Sequence, residues 1–497
     1  TFTRGSEATF VNAQGLIQST NEIGSELVTN GDFATGSANW FLTGTSFWVN
    51  SSIEVPTGGL TQVFTLENNK TYKITFDVIQ GSGINGGVYV NTNYNSPVFA
   101  DNVGVTTTGV GGTYTFIFTM NGSGNGITLT RRVNNQDIRI DNVSVKEYTT
   151  ATNTPRLDYS TGSEAFLLEP QSTNLITQSE TFSDAVWTKS GTTVTSGFLS
   201  PDGTTNAYKI TENTANSVHK LQIINGVPNS FQNQSIFVKY DNSQQFIQTT
   251  SSRSISNYVN FDISNKTFTN FGTSVGNIIE LNNGWLRLDV YHDSSTTVYW
   301  HFITSLTSVW SESYLGTEKY LLIWGAQVEA QSYATSYIPT SGASATRNQE
   351  LCNNATPVIN SEEGTLYAEI SALTEIDTYR TICLSDGTTS NRVNIWYWNN
   401  GTLKIDLYSG NNVQFTYDGN IDTAVFNKIA VKYKLNDFSV FLNGVEVFTD
   451  SAGVTPVGLN KINFSHANGL YPFFGNTKGL KYYPKALADV QLQDLTT

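Results

Sequence analysis

The chain has 497 residues, too many for one ordinary core, and that length predicts about three domains. Apolar residues make up 38%, aromatics 12% and charged residues only 14%, with Gly, Thr, Ser and Asn abundant; this excludes a disordered linker and favours an all-β chain rich in turns. With 27 basic against 41 acidic residues the net charge is −14, no basic patch stands out and no apolar run approaches ~18 residues, which argues against a nucleic-acid partner and against membrane insertion by a helix.

The chain opens with a short strip, residues 1–21, that contains Phe2-Thr3-Arg4-Gly5-Ser6-Glu7-Ala8. Residues 153–180 contain Pro155-Arg156-Leu157-Asp158-Tyr159 and Glu169-Pro170-Gln171-Ser172-Thr173-Asn174-Leu175. Joined together, residues 2–20 and 153–180 resemble one contiguous module of bacteriophage fibre and tail-appendage proteins, with residues 22–148 lying between its halves. The two strips are therefore expected to meet in space, and 22–148 reads as an insertion.

Within 22–148, strand-like runs are expected at 60–66, 71–79, 87–90, 112–120 and 126–132. Tyr72, Ile74, Phe76 and Val78 alternate with Lys73, Thr75 and Asp77, the period of a half-buried strand, and the spacing of the runs predicts a sandwich or jelly roll. The opening Asn30-Gly31-Asp32-Phe33…Trp40 and the closing Ile140-Asp141-Asn142-Val143-Ser144-Val145 resemble the xylanase- and glucan-binding group of carbohydrate-binding modules. That resemblance implies a core role for Trp40. It also implies a structural calcium near the acidic residue that follows the opening motif and the Asp of the last strand. Here those positions are Ala34 and Asp141, so one carboxylate ligand is lost and only Asp141 remains. Trp48, Tyr89 and Tyr94 belong to no fold motif and are glycan-binding candidates.

Residues 149–348 carry the 169–175 motif, then Phe182…Trp187-Thr188-Lys189 and Ser200-Pro201-Asp202-Gly203-Thr204. Asn283-Gly284-Trp285-Leu286-Arg287-Leu288, Trp324-Gly325-Ala326-Gln327-Val328-Glu329 and Tyr337-Ile338-Pro339 follow. The ordered series resembles the jelly-roll domain of phage head-fibre and tail-fibre proteins. Trp285 and Trp324 alternate with aliphatic residues and are expected in the core.

Residues 349–497 begin with Glu363-Gly364-Thr365-Leu366-Tyr367. Phe438-Ser439-Val440-Phe441-Leu442 and Val445-Glu446-Val447 flank Asn443-Gly444, a strong hairpin signal. With Gly479-Leu480-Lys481-Tyr482-Tyr483 and a short helical tail, this region resembles a concanavalin-A-like, laminin-G-type sandwich. Its two cysteines, Cys352 and Cys383, are too few for a disulfide framework and are expected as free thiols. In Asn394-Ile395-Trp396-Tyr397-Trp398, one strand face carries Ile395 and Tyr397 and the other Trp396 and Trp398. If one face is core, the second is a two-aromatic platform for a sugar or an interface; burial of both faces is the alternative. Tyr471, Phe473 and Phe474, flanked by Pro472 and Gly475, read as a loop cluster and as interface candidates, with a sugar site as the competing reading.

The histidine and carboxylate spacings point to no catalytic constellation. His219, His292, His301 and His466 show no metal-ligand spacing, and the 349–497 region has no Glu-x-Asp-x-x-Glu run of the kind a sandwich glycosidase carries. The expectation is a non-enzyme: three β-sandwich or jelly-roll domains in series, the first inserted into the N-terminal strip of the second. The resemblances imply a homo-oligomeric fibre or decoration subunit on the virion surface, in contact with other virion proteins and a host cell-surface glycan, with no required cofactor. A purely structural fibre, a depolymerising tailspike and a secreted bacterial adhesin remain as alternatives.

Overall fold

The computed structural model describes residues 1–79, 88–91, 103–105, 112–122, 124–131, 138–149, 151–225, 232–250, 257–281, 283–292, 298–305, 313–373 and 378–497. The protein is all-β, with one short helix, Asp489–Thr496, among these residues. None of the described helices is long and apolar enough to cross a membrane. Two compact units form: Asn21–Ala151, and Thr1–Thr20 together with Thr152–Thr497.

The unit Asn21–Ala151 is an antiparallel sandwich. One sheet runs Val103–Val105, Val88–Asn91, Ile127–Arg131, Gly58–Gln62, Phe41–Gly44. The other runs Gly112–Thr119, Thr71–Ile79, Ile138–Thr149, Ser52–Val55, Phe47–Val49, and Glu22–Glu26 also pairs with Ile138–Thr149. Strand Thr71–Ile79 buries Tyr72, Ile74, Phe76 and Val78 and leaves the intervening side chains partly exposed, as its alternation requires. Trp40 lies in this core beside Phe33.

The larger unit holds two sandwiches. The first pairs the sheet Thr188–Ser190, Lys220–Asn225, Val298–Ser305, Phe246–Thr250, Tyr258–Asp262, Thr267–Phe271 with the sheet Thr192–Phe198, Ala207–Glu212, Tyr320–Glu329, Gln232–Lys239, Leu286–His292, Val275–Glu280. Ile236, Val238, Leu288 and Ile323 fill the space between them. A bulge interrupts strand Tyr320–Glu329 opposite Ser235 and Phe237. Gly325 sits there at φ 61°, where an added Cβ would come within 3.0 Å of the Phe237 ring. Trp324 is thereby placed in a separate cluster with Phe237, Trp285 and Tyr337. Both tryptophans are buried as expected, in this satellite cluster and not in the main core.

The C-terminal sandwich pairs a seven-stranded sheet with the five-stranded sheet Asn412–Asn420, Thr402–Ser409, Arg392–Tyr397, Arg380–Ser385, Lys461–Asn463. The larger sheet runs Arg156–Asp158, Ala165–Leu168, Gly475–Tyr483, Glu363–Ala372, Asn427–Lys434, Asp437–Leu442, Val445–Asp450. The hairpin 156–168 therefore extends the C-terminal sheet, where the sequence placed it with the 149–348 region. The cause is packing: Leu168 joins the C-terminal core, and Phe166 stacks edge-on against Phe464 and Phe2.

The two strips lie against each other. Arg4 and Asn153 exchange hydrogen bonds, from the Arg4 amide to Asn153 Oδ1 at 2.8 Å and from the Asn153 amide to the Arg4 carbonyl at 3.0 Å. The Val11 amide donates to Asp158 Oδ2 at 2.8 Å. Beneath them Arg4, Arg156 and Arg347 alternate with Glu350 and Glu169, all with side chains at most 3% exposed. Arg4 meets Glu350 at 2.6 Å, Arg156 bridges Glu350 and Glu169, and Arg347 reaches Glu169 at 2.9 Å. Burial alone would raise the Glu169 carboxyl, but Arg347 and Arg156 outweigh it and hold it down at about 2.

Candidate functional site

Strand Arg392–Tyr397 turns Val393, Ile395 and Tyr397 into the C-terminal core and sends Asn394 and Trp396 to the opposite face of the sheet. Register places Trp396 beside Lys404 and Thr381, and Asn394 beside Asp406 and Cys383. A loop from Phe464 to Phe473 folds over this face. It is held by the Thr381 amide donating to the Tyr471 carbonyl at 3.2 Å and by the His466 amide donating to the Leu470 carbonyl at 2.9 Å. Tyr471 adopts φ 55°, an uncommon conformation for a residue with a Cβ, which the loop contacts sustain.

Four aromatic rings converge there. Trp398 and Tyr379 meet edge to face at 5.3 Å, Tyr379 and Tyr471 at 5.6 Å, and Tyr471 and Trp396 at 5.7 Å. Trp396 is 9% exposed, while Tyr471 is 43% exposed and Trp398 and Tyr379 are half-buried. The expected two-tryptophan platform is therefore corrected: Trp396 is the buried floor, and Trp398, Tyr379 and Tyr471 form the accessible surface. Tyr471, an interface candidate by sequence, belongs to the same cluster as the two tryptophans. Lys404 Nζ lies 4.7 Å from the centre of the Trp398 ring and 3.6 Å from Asp418, giving the cluster a charged border.

The floor is polar beneath its rings. Asp406 accepts from Trp396 Nε1 at 2.8 Å and from Asn394 Nδ2 at 2.7 Å. Burial raises its carboxyl, against the lowering influence of Asn394 and Arg392. His466 stacks 5.2 Å from Trp396, bonds Asn468 through Nδ1 at 2.9 Å and is pushed down by burial. Asp406 thus fixes the indole edge, and the indole supports Tyr471 above it. Tyr379, Asp406, His466 and Lys404 were not singled out in the sequence, because only strand register and the loop crossing bring them to the tryptophans.

Phe473 is a correction. It is 1% exposed and belongs to the core, because its amide donates to the Phe464 carbonyl at 2.9 Å and carries its ring inward. Phe474 is partly buried against the same core. Cys383 is buried and Cys352 half-buried, both as free thiols.

In the Asn21–Ala151 unit, Trp48 is 46% exposed on the edge strand Phe47–Val49, with its Nε1 donating to the Phe33 carbonyl at 3.0 Å. Tyr89 lies in strand Val88–Asn91, opposite Thr130 and Gly104. Tyr94 lies outside the described residues. Asp141 accepts from the Asn142 amide at 2.7 Å, and burial raises its carboxyl. Among the described residues no three His, Cys, Asp or Glu side chains gather as a metal site. Ala34 supplies no side-chain oxygen, so the described residues lack one of the two carboxylates that the resemblance implies for calcium.

No family model matches the chain, and no curated protein matches it. Solved structures give partial likenesses. The CBM40 module of the Ruminococcus gnavus IT-sialidase, bound to alpha2,3 sialyllactose, is 20% identical over 28% of this chain and 84% of that one, with TM-score 0.25. The tandem CBM22 domain of Paenibacillus barcinonensis Xyn10C is 14% identical over 62% of this chain and 99% of that one, with TM-score 0.21. Domains LG4-5 of the mouse laminin alpha1 chain are 13% identical over 55% and 90%, with TM-score 0.21. At these values the likenesses carry no argument about a ligand.

Proposed function

We propose that the protein is a non-catalytic glycan-binding subunit of a phage surface fibre, attaching the particle to sugars on the host surface. The observation that carries the binding reading is the cluster of Trp398, Tyr379 and Tyr471 held over a buried Trp396–Asp406 floor. Pyranose rings present flat C–H faces that stack on such rigid, partly exposed aromatic surfaces, and a polar border supplies orientation. A site braced from below loses little entropy on binding, and copies on an oligomer raise effective concentration. The virion assignment rests on the ordered motifs at 169–175, 283–288, 324–329 and 337–339.

A glycan array probed with the full chain tests the binding reading. The wild type is expected to bind a defined sugar set, and Trp398→Ala to weaken it at least tenfold, which corresponds to about 1.4 kcal/mol. No binding by either protein leaves a purely structural fibre as the better reading, and equal binding by both overturns the assignment of the site to the aromatic cluster. Sustained release of reducing ends from a bound polysaccharide would replace the non-catalytic assignment with a depolymerase. Absence of the chain from purified particles that encode it removes the virion assignment.

A further inference from the structure

We infer that the strand Gly112–Thr119 is a self-association surface, to which the same strand of a second copy of this chain adds antiparallel about a two-fold axis. Among the described residues this strand ends its sheet: Thr71–Ile79 pairs with one side of it, and no strand pairs with the other. The contact is independent of the glycan-binding reading, and either can fail without the other.

An open edge presents a row of backbone N–H and C=O groups, and folded chains blunt such edges by keeping them short, bulged, charged or proline-bearing. The other sheet ends of the Asn21–Ala151 unit are short: Phe47–Val49, Phe41–Gly44 and Val103–Val105 hold three or four residues each. Gly112–Thr119 has none of these guards. It runs eight residues, Gly-Thr-Tyr-Thr-Phe-Ile-Phe-Thr, with no charge and no proline. Its register against Thr71–Ile79 is continuous, from Gly112 opposite Val78 to Thr119 opposite Thr71, so no bulge bends it.

The side chains leave apolar surface along this edge. Tyr114, Phe116 and Phe118 pack on the core yet stay partly exposed, with ring centres 6.0 to 6.1 Å from those of Phe76 and Tyr72. On the opposite face Ile117 is 51% exposed, between the exposed Thr115 and Thr119.

The order of residues selects a second copy as the occupant. About Phe116, residues 113–119 have nearly the same chemistry in both directions. Antiparallel pairing of two copies there sets Phe116 against Phe116, Tyr114 against Phe118, Thr115 against Ile117 and Thr113 against Thr119. One face gains three aromatic pairs and the other four pairs of β-branched residues, the kinds of cross-strand pair that stabilise antiparallel sheets. No charge meets a like charge: Lys73 lies beside Ile117 and Asp77 beside Thr113, and the axis brings Thr75 and Thr71 across from them. With a net charge of −14 opposing association, an uncharged strand is where two copies approach at least electrostatic cost. The same surface serves both copies, so the contact closes on itself.

Sedimentation equilibrium of the full chain tests the contact, with Thr115→Lys and Ile117→Glu as variants at exposed positions. The wild type is expected as a dimer or as an assembly of an even number of copies. Each variant alone sets two like charges diagonally across the axis, roughly 7–8 Å apart, and should weaken the two-fold step at least tenfold. In an equimolar mixture the introduced lysine of one copy faces the introduced glutamate of the other, and mixed dimers should return. The double variant carries both attractive pairs and should associate at least as tightly as the wild type, an outcome that misfolding of the single variants cannot produce. A wild type that stays monomeric at every concentration, or that assembles only in odd numbers, overturns the inference. Association unchanged by either single variant overturns it too, as does weakening that neither the mixture nor the double variant relieves.

Discussion

Trp396 and Trp398 stand two positions apart and do different work. Trp398 is half-buried with a ring that reaches the surface, so Trp398→Ala should weaken sugar binding and cost little stability. Trp396 is buried, and its Nε1 satisfies Asp406. Trp396→Ala opens a cavity and removes one partner of a buried carboxylate, and should destabilise the chain by about 3–5 kcal/mol. Denaturant midpoints of the two variants check this; equal loss in both would mean that Trp398 is also part of the core. Asp406 works by accepting from two donors at once. A side-chain amide at this position could accept from only one of Trp396 and Asn394 while presenting its own N–H groups to the other, so Asp406→Asn should loosen the floor, read as a shift in tryptophan emission.

At the scale of elements, the hairpin Asp437–Leu442 to Val445–Asp450 turns on Asn443 at φ 49° and Gly444 at φ 83°, a geometry that matches the twist of the strands. Gly444→Ala should cost about 1–2 kcal/mol, because a Cβ disfavours that conformation. It would also approach Thr497 Oγ1 to 3.0 Å. An unchanged denaturant midpoint would refute the assignment of strain. This hairpin was legible because Asn-Gly is a local signal, and strand Thr71–Ile79 was legible because alternation is local too. The aromatic cluster was only half legible. Trp396 and Trp398 announced themselves by spacing, whereas Tyr379 and His466 reach them through strand pairing and a loop crossing that no local pattern encodes. Phe473 was misread for the same reason: Pro472 and Gly475 mark a loop, but a single long-range backbone hydrogen bond turns its ring into the core. The docking of hairpin 156–168 on the C-terminal sheet likewise depends on which sheet edge lies open.

Across the whole molecule, the buried ion network joins the N-terminal strip, the 156–169 segment and the 347–350 segment. Removing Arg156 leaves Glu350 and Glu169 each short of a partner in a buried site. Arg156→Ala should therefore destabilise the larger unit by about 3–5 kcal/mol, and Lys cannot restore the paired contacts. The pH dependence has a definite sign. Glu169 is held at about 2 against an ordinary 4.5, so its contribution is complete above about 4.5 and is lost as pH falls toward 2. Melting temperatures between pH 6 and pH 2 should fall through that window in the wild type and fall less steeply in Arg156→Ala, where the contribution is already reduced. A wild-type melting temperature flat across that window would contradict the network's role.

The central claim is that the face formed by Tyr379, Trp398 and Tyr471 is where a glycan sits, and hydrogen–deuterium exchange of the intact chain locates it directly. In the presence of the strongest glycan from the array, the account predicts slower exchange confined in this sandwich to residues 379–381, 396–402 and 465–473. Saturating glycan that leaves those three segments unprotected would contradict it.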